Sequence, residues 1–202
     1  MVCIKLIFLL MVVPLSQGRR SRKPPVSENP IEKIKIQDNF NLKRFSGKWF
    51  LIGVASECNF LKTNNYKVQA TSMVITQPKE EKKVSVSTFR KLDGICWEIR
   101  QEYQKSKSDG RFLLKGRGYR NYVDVVVGET DYNSYAILYY GKQRTISLKL
   151  YGRQEDIGND IIFKFEKYAV DQNIQEDFVY YFPKYGFCES ADEFHILNEV
   201  KN

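Results

Sequence analysis

The feature that most constrains this fold is a series of short segments with strand-type alternation, which recur about every ten residues from Trp49 onward. In residues 84–89, for example, apolar and polar side chains alternate as they do in a strand with one buried face. Turn residues such as Asp93-Gly94 separate neighbouring segments. The eight predicted strands cover residues 49–55, 68–76, 84–89, 95–99, 112–115, 122–129, 134–140 and 146–151.

The period changes to that of a helix after Gly158, and Asn159 or Asp160 is the predicted N-cap. Eight short strands with tight connections, followed by one helix, predict an all-β protein with one C-terminal helix, in which the strands form an eight-stranded up-and-down antiparallel barrel. A two-sheet sandwich is the competing prediction, but its Greek-key topology requires at least one longer crossover. The apolar stripe of the helix consists of Ile161, Ile162, Phe165, Tyr168 and Ala169.

Residues 1–18 have the pattern of a secretory signal peptide. Lys5 precedes an apolar stretch over residues 6–15, and the small residues Ser16 and Gly18 fit a cleavage site. The apolar stretch is too short for a membrane anchor, because a spanning helix needs about 20 residues. The sequence therefore predicts secretion into an oxidising compartment.

The remaining sequence divides into a basic, Pro-containing arm, residues 19–38, and one domain, residues 39–202. The arm is predicted to be mobile and contributes much of the formal charge of +8. It is either a solvated tail or a contact for an anionic surface or an acidic partner. Elsewhere acidic and basic residues are mixed, without a basic stripe among aromatic residues, so nucleic acid is not an expected partner.

The residue types that catalysis or metal binding requires are scarce. His195 is the single histidine, and its apolar neighbours are typical of a packing or surface residue. No second histidine completes a zinc site, and the sequence contains neither a nucleophile-elbow motif nor a phosphate-binding glycine loop. We therefore predict no catalytic residue, no metal and no cofactor.

Three cysteines remain once the signal peptide, which carries Cys3, is removed. Cys58, Cys96 and Cys188 can form one disulfide in three ways, and each way leaves one thiol over. A left-over cysteine in a secreted protein is either free or paired with another molecule.

Three short motifs lie in order along the predicted strands. Gly47 and Trp49 form a G-x-W motif at the first strand, residues 130–132 form a T-D-Y turn after the sixth, and Arg153 follows the eighth. Together they resemble the signature of the lipocalin family. The resemblance implies that Trp49 and Arg153 pack together beside this turn and close one end of the barrel, with the arginine donors on backbone carbonyls. The three turn residues are Thr130, Asp131 and Tyr132.

A barrel of this size holds either side chains or one small molecule. The strand patterns predict an aromatic, largely uncharged pocket for a small lipophile, such as a retinoid, or for a segment of a partner. If the inward-facing positions of a strand are offset by one residue, its predicted lining residues point outward instead. The predicted lining is Tyr103, Phe112, Leu114, Val125, Tyr135, Ile137 and Tyr139.

Charged residues opposite the apolar faces are predicted to point to water. An apolar interior with a charged exterior is the reverse of a membrane-spanning barrel, so we expect no direct membrane insertion. The outward-pointing residues are predicted to include Glu98, Arg100, Lys115 and Lys149.

A finer resemblance within the lipocalin family covers residues 39–200, and its strongest segments resemble the lipocalin subunits of the complement lytic pathway. It implies a secreted plasma protein that is carried into the membrane attack complex as an accessory subunit. It also implies a disulfide between Cys58 and the alpha chain of the complement component to which such a lipocalin subunit belongs. The beta chain of that component and other terminal complement proteins would be indirect partners. The lipocalin family implies an intramolecular disulfide between Cys96 and Cys188. The segments are residues 55–61, 86–97, 110–114 and 182–188.

Other functions remain as alternatives. In the first alternative, the chain is a free-standing plasma carrier of a small hydrophobic ligand. In the second, it is a thiol-active scavenger like alpha-one-microglobulin, and Cys58 is its reactive group. An inert, capped thiol is a third hypothesis for Cys58. An enzyme like lipocalin-type prostaglandin synthase needs a cysteine in the cavity with a lowered pKa. Cys58 is predicted to lie on a loop at the barrel mouth and not in the cavity. We therefore predict that the chain is not an enzyme.

Overall fold

The computed structural model describes residues 28–77, 82–116 and 121–197. The predicted signal peptide, residues 1–18, and the basic residues at the start of the arm lie outside the described residues. Within the described ranges the chain forms ten strands and three α-helices. Strands therefore dominate the structure, as the alternating pattern predicted.

Eight strands form the wall of a barrel, and each overlaps one of the eight predicted segments. They are β1 (Gly47–Ala55), β2 (Thr71–Thr76), β3 (Lys83–Leu92), β4 (Ile95–Lys105), β5 (Arg111–Lys115), β6 (Tyr122–Thr130), β7 (Tyr135–Lys142) and β8 (Thr145–Gly152). The other elements are the short strands β9 (Val179–Tyr181) and β10 (Glu193–Ile196), and the helices α1 (Leu42–Phe45), α2 (Asn59–Asn64) and α3 (Asn159–Asp171).

The barrel closes because β1 pairs antiparallel with both β2 and β8. Every other wall strand pairs antiparallel with its neighbours in sequence, including β4 with β5. This closed meander confirms the predicted up-and-down barrel and excludes the sandwich. Beyond the wall, β9 pairs with the last residues of β1, and β10 runs parallel to β4.

Apolar side chains form two cores, one on each side of the wall. The interior core includes Trp49, Leu51 and Val125. The outer core lies between the barrel and α3, where Phe165 and Ala169 of the helix are 0% exposed. The helical stripe predicted from the sequence is thus the face of α3 that covers the barrel.

The presence of the outer core corrects part of the predicted pocket lining. Tyr135, Ile137 and Tyr139 belong to the outer core under α3, so their assignment to the barrel interior was wrong. The intervening residues of β7, Ala136 and Leu138, face the interior instead. Both faces of β7 are buried, and an alternation of apolar and polar residues therefore cannot identify the inner face.

The same reason corrects the prediction for Lys149. Its neighbours on β8, Leu148 and Leu150, belong to the outer core, which turns Lys149 toward the barrel interior instead of toward water. Arg100 and Lys115 are exposed, as expected. Glu98 is half-buried and accepts hydrogen bonds from Ser87 and Arg100.

The end of the predicted arm packs on the barrel, which differs from the expectation of a mobile segment over residues 19–38. Ile31 is 1% exposed and lies in the outer core. Arg111 donates to both carboxylate oxygens of Glu32, at 2.6 and 2.7 Å, and also pairs with Asp124. These ion pairs hold the 3₁₀ turn Pro30–Lys33 against the wall.

Several boundaries differ from the sequence prediction. Strands β3 and β4 continue to Leu92 and Lys105, beyond the predicted ends at residues 89 and 99. The second strand begins at Thr71, because α2 and the 3₁₀ turn Asn65–Lys67 occupy the residues before it. Helix α3 is capped by Gly158, whose carbonyl oxygen accepts from the backbone nitrogen of Ile161 at 3.1 Å. The predicted caps, Asn159 and Asp160, are already helical.

Candidate functional site

Arg153 seals one end of the barrel. Its guanidinium carbon lies 3.7 Å from the centroid of the Trp49 ring. The same group donates to five backbone carbonyl oxygens at distances of 2.8 to 3.4 Å, so all three of its nitrogens are hydrogen-bonded. Gly47 makes room for it, because a Cβ there would lie 3.3 Å from the guanidinium. The accepting carbonyls belong to Arg44, Phe45, Ser46, Lys48 and Tyr132.

The turn after β6 supports this seal. Asp131 accepts from the backbone nitrogens of Asn133, Ser134 and Tyr135 at 2.8 to 3.0 Å. Burial opposes ionisation of Asp131, but these hydrogen bonds and one from the Ser134 hydroxyl leave its pKa below the usual value. Tyr132 is held at a φ of +70°, which directs its carbonyl to Arg153.

The inner part of the barrel is nearly filled by side chains. A cavity of about 20 Å³ remains, about the size that one water molecule occupies. Of the predicted lining residues, Tyr103, Phe112 and Val125 border this cavity, and Leu114 packs against the interior core. The other residues that line it are Leu42, Phe45, Met73, Ile75, Val84, Val86, Leu138 and Tyr140.

A cluster of three tyrosines adjoins this cavity, and two of them, Tyr103 and Tyr140, line it. Tyr140 is hydrogen-bonded to Tyr103, and its hydroxyl lies 3.4 Å from the hydroxyl of Tyr151. Burial raises the pKa of Tyr103 and of Tyr140 well above the ordinary value, so both hydroxyls stay neutral. The sequence prediction identified Tyr103 but missed Tyr140 and Tyr151, because their strands have apolar residues on both faces.

The mouth lies at the opposite end from Trp49 and carries Cys58. The thiol follows the end of β1, precedes α2 and is exposed and unpaired. The backbone nitrogen of Cys58 donates to the hydroxyl of Ser56 at 3.2 Å, and that hydroxyl lies 2.7 Å from the hydroxyl of Ser147. The loop that carries Cys58 is therefore tied to β8.

The structure joins Cys96 and Cys188 in a disulfide with a Cα separation of 5.7 Å. The bridge ties the tail after α3 to β4, where β10 then pairs with residues 97–100. His195 lies on β10 and is exposed, with Gln101 and Leu114 beside it in an open cleft.

No cluster of three or more potential metal ligands occurs among the residues that the structure describes. In the same residue ranges, none of the helices has the length and apolar character needed to cross a membrane.

Residues 46–186 match the model of the lipocalin / cytosolic fatty-acid binding protein family. The complement component C8 gamma chain of Oryctolagus cuniculus is 40% identical over 186 residues, which cover 92% of this chain and 91% of that protein. Protein AMBP of Mus musculus is 30% identical over 94% of this chain, but the match spans only 54% of that longer protein. Lipocalin-15 of Homo sapiens is 32% identical over 67% of this chain and 74% of its own length.

The fold is also found among solved structures. The siderocalin Ex-FABP superimposes with a TM-score of 0.60, covers 71% of this chain and 96% of its own, and is 22% identical. At this identity the similarity concerns the fold alone.

Proposed function

Because the chain belongs to the lipocalin family, we propose that it is a secreted plasma protein and an accessory subunit of the eighth complement component, in the position of the gamma chain. The similarity to the Oryctolagus cuniculus gamma chain extends over nearly the whole of both chains, which supports an equivalent role beyond a shared barrel. Family membership also points to a binding protein and away from an enzyme.

The observation that carries this proposal is the state of Cys58. Its thiol is exposed and unpaired, whereas Cys96 and Cys188 are joined to each other. A secreted chain with one left-over exposed cysteine is suited to an interchain disulfide. We propose the alpha chain of the same component as the covalent partner, with the beta chain and other terminal complement proteins associated indirectly.

Aromatic side chains next to Cys58 support a non-covalent contact at the same place. Phe60 is 60% exposed and Tyr66 is 75% exposed, and both follow Cys58 in the segment between β1 and β2. Exposed aromatic residues of this kind are enriched at the centres of protein interfaces. The disulfide would then secure a complex that these contacts already form.

Replacing Cys58 with serine removes the proposed covalent bond and leaves the docking surface in place. In non-reducing electrophoresis after co-expression with the alpha chain, the wild-type chain is expected to migrate as one species with its partner and the variant C58S to migrate alone. The variant should still co-purify with the alpha chain under native conditions, because an interface of about 1,600 Å² holds without a covalent bond.

A second variant tests the aromatic contacts themselves in the C58S background, where no interchain disulfide can form. The double variant with Phe60→Ala and Tyr66→Ala should weaken the non-covalent complex, measured with C58S as background. A wild-type chain that stays monomeric beside the alpha chain, with one titratable thiol, contradicts the proposal and favours the scavenger alternative.

The small cavity supports a partner-binding role for the mouth over transport of a large lipophile. Drug-sized ligands occupy pockets of about 300 Å³ or more, whereas the cavity bordered by Tyr103, Phe112 and Tyr140 measures about 20 Å³. A segment of the alpha chain needs only the open mouth. A lipophile would need to displace side chains of the interior core.

We therefore expect retinol to bind the isolated chain weakly and to be released when the alpha chain is added, as measured by retinol fluorescence. Tight retinol binding that the alpha chain leaves unchanged would show that the mouth is not the docking surface. Native purification of a lipophile-loaded chain without a partner would establish the free-standing carrier instead.

We also propose that the barrel stays outside the bilayer when the complex assembles on a membrane. The apolar interior core and the exposed Arg100 and Lys115 support this, since a spanning barrel presents apolar side chains to lipid. Labelling of the middle of β4 by a photoprobe embedded in the lipid would contradict it.

A further inference from the structure

An open cleft of about 480 Å³ lies at the barrel mouth, between β10 and the turn that joins β5 to β6. It forms because β5 has only five residues and reaches β4 only at residues 103–105. The mouth half of β4 pairs with β10 instead, at residues 97–100. The barrel wall is therefore interrupted between β5 and β10, and the cleft occupies this gap.

Backbone hydrogen bonds fix both walls of the cleft. On one side, the disulfide holds the tail near β4, and the backbone nitrogen of Leu197 donates to the carbonyl oxygen of Arg100 at 2.9 Å. On the other side, the backbone nitrogen of Gly116 donates to the carbonyl oxygen of Asn121 at 2.6 Å. The cleft is thus a part of the fold and not an irregularity of the surface.

Basic side chains, and no carboxylate, are found among the described residues that line this cleft. Lys115 ends β5, Lys142 ends β7 and His195 lies on β10. Lys142 lies two residues after Tyr140, which lines the inner cavity, so its side chain starts from the interior face of β7. In the part of the chain that the structure describes, none of these three basic residues forms an ion pair. A ligand with a negative charge can therefore supply the partner that the protein does not.

Two further cations face the interior in the same half of the barrel. Arg90 continues the interior face of β3 beyond Val86, and Lys149 lies opposite Val54 of β1. The Nζ of Lys149 lies 4.3 Å from the centroid of the Tyr140 ring, an arrangement that suits a charged ammonium. In this half of the described wall, no carboxylate occupies an interior-facing position. The electrostatic field at the cleft is therefore positive and attracts anions.

Apolar side chains cover another part of the cleft. Leu114 and Val123 are paired across β5 and β6, and both pack against the interior core. Leu197 lines the cleft from the tail and is 39% exposed. The volume of the cleft lies within the range of about 300–1,000 Å³ that small-molecule sites occupy. A cleft with one apolar and one basic part suits a ligand that combines an apolar group with an acid group.

We propose that this cleft binds a small organic anion. Its apolar group lies on the two leucines and Val123, and its carboxylate, sulfate or phosphate group is held by Lys115, Lys142 and His195. An uncharged lipophile would forgo the charge-assisted hydrogen bonds of these donors. The cleft is distinct from the inner cavity, and Cys58 follows β1, which lies four strands away from β5 in the wall. Anion binding is therefore independent of the disulfide proposed for Cys58.

The test compares two fluorescent probes that differ by one charged group. The first, 8-anilinonaphthalene-1-sulfonate, carries a sulfonate, and the second, N-phenyl-1-naphthylamine, has the same aromatic rings without it. In fluorescence titrations of the full chain, we expect the dissociation constant of the sulfonate to be about ten-fold lower than that of the neutral probe, the effect of about one charge-assisted hydrogen bond. A high salt concentration should reduce this difference by screening. Equal affinity for the two probes overturns the proposal.

Two double variants locate the site. Lys115→Gln with Lys142→Gln should raise the dissociation constant of the sulfonate about ten-fold and leave that of the neutral probe unchanged. The charge-matched control, Lys91→Gln with Arg144→Gln, removes two exposed cations near the mouth that do not line the cleft, so it should leave both affinities nearly unchanged.

A third variant tests the apolar part of the cleft. Leu197→Ser should weaken the binding of both probes, in a chain whose circular dichroism is unchanged. An unchanged sulfonate affinity in the first double variant would place the probe elsewhere, and equal losses in the two double variants would mean attraction to net charge alone. Either result overturns the proposal.

Discussion

Replacing Trp49 with alanine is expected to lower the free energy of unfolding by about 3–5 kcal/mol, the range for a large aromatic side chain in a core. Trp49 is 0% exposed and packs on Phe45 with ring centroids 5.2 Å apart. Its Nε1 donates to the Phe45 carbonyl oxygen at 2.8 Å. The variant loses this packing and also the ring on which Arg153 rests, so the closed end of the barrel opens.

Urea unfolding followed by far-UV circular dichroism measures this effect. The matched control is Trp97→Ala, because Trp97 is the second tryptophan of the chain and is only half-buried on β4. Its loss should reduce stability by about 1–2 kcal/mol, in proportion to the smaller apolar area that it buries. Equal losses for the two variants would contradict a special role of the closed end.

Arg153→Lys tests the other half of the seal. A lysine keeps the charge but cannot supply a planar fork of donors to five carbonyl oxygens, so we expect a loss of about 2–3 kcal/mol. Because the two side chains are in contact, the loss should be smaller when Trp49 is already alanine. A double-mutant cycle gives this coupling, and additive losses would mean that the stacking contributes nothing.

Removing the Cys96–Cys188 disulfide is the second change with a large expected effect. The paired cysteines are 92 residues apart, and for a loop of this length the chain-entropy account gives about 4.7 kcal/mol of stabilisation. The double variant with Cys96→Ala and Cys188→Ala should therefore unfold at a lower urea concentration than the wild-type chain. Adding a reductant should lower the wild-type midpoint but not that of the variant.

The local effect of the same change should appear in the tail. Next to the bridge, the backbone nitrogen of Asp192 donates to the carbonyl oxygen of Cys96 at 2.8 Å. The Asp192 carboxylate accepts from the backbone nitrogen of Cys96, also at 2.8 Å. Without the bridge, β10 is expected to separate from β4 before the barrel unfolds, because its side chains are all exposed. Hydrogen exchange should therefore rise first in residues 193–196. Cys58→Ser is the control and should leave both stability and exchange unchanged, since Cys58 is unpaired.

The parts of the fold that were predictable depend on local rules. Alternation, turn residues and a helical stripe indicated the barrel and α3, since each reflects contacts among residues near in sequence. Trp49 and Arg153 were recognisable through their motifs, although their 3.7 Å contact joins opposite ends of the strand series. The packing of Ile31 was not predictable, because Ile31, Ile34 and Ile36 form too short an apolar set to show a helical or strand period.

The sequence by itself determined that the chain forms a closed barrel, which motifs seal it, and that Cys58, Cys96 and Cys188 can form only one disulfide among them. It could not determine which face of β7 and β8 is the inner one. Only the tertiary structure decided this, by placing α3 over Ile137 and Leu148. When a helix buries the outer face of a strand, apolar residues are favoured on both faces, and the signal that separates inside from outside disappears. The sequence therefore predicts that Lys149 points outward, whereas the structure places it inside the barrel.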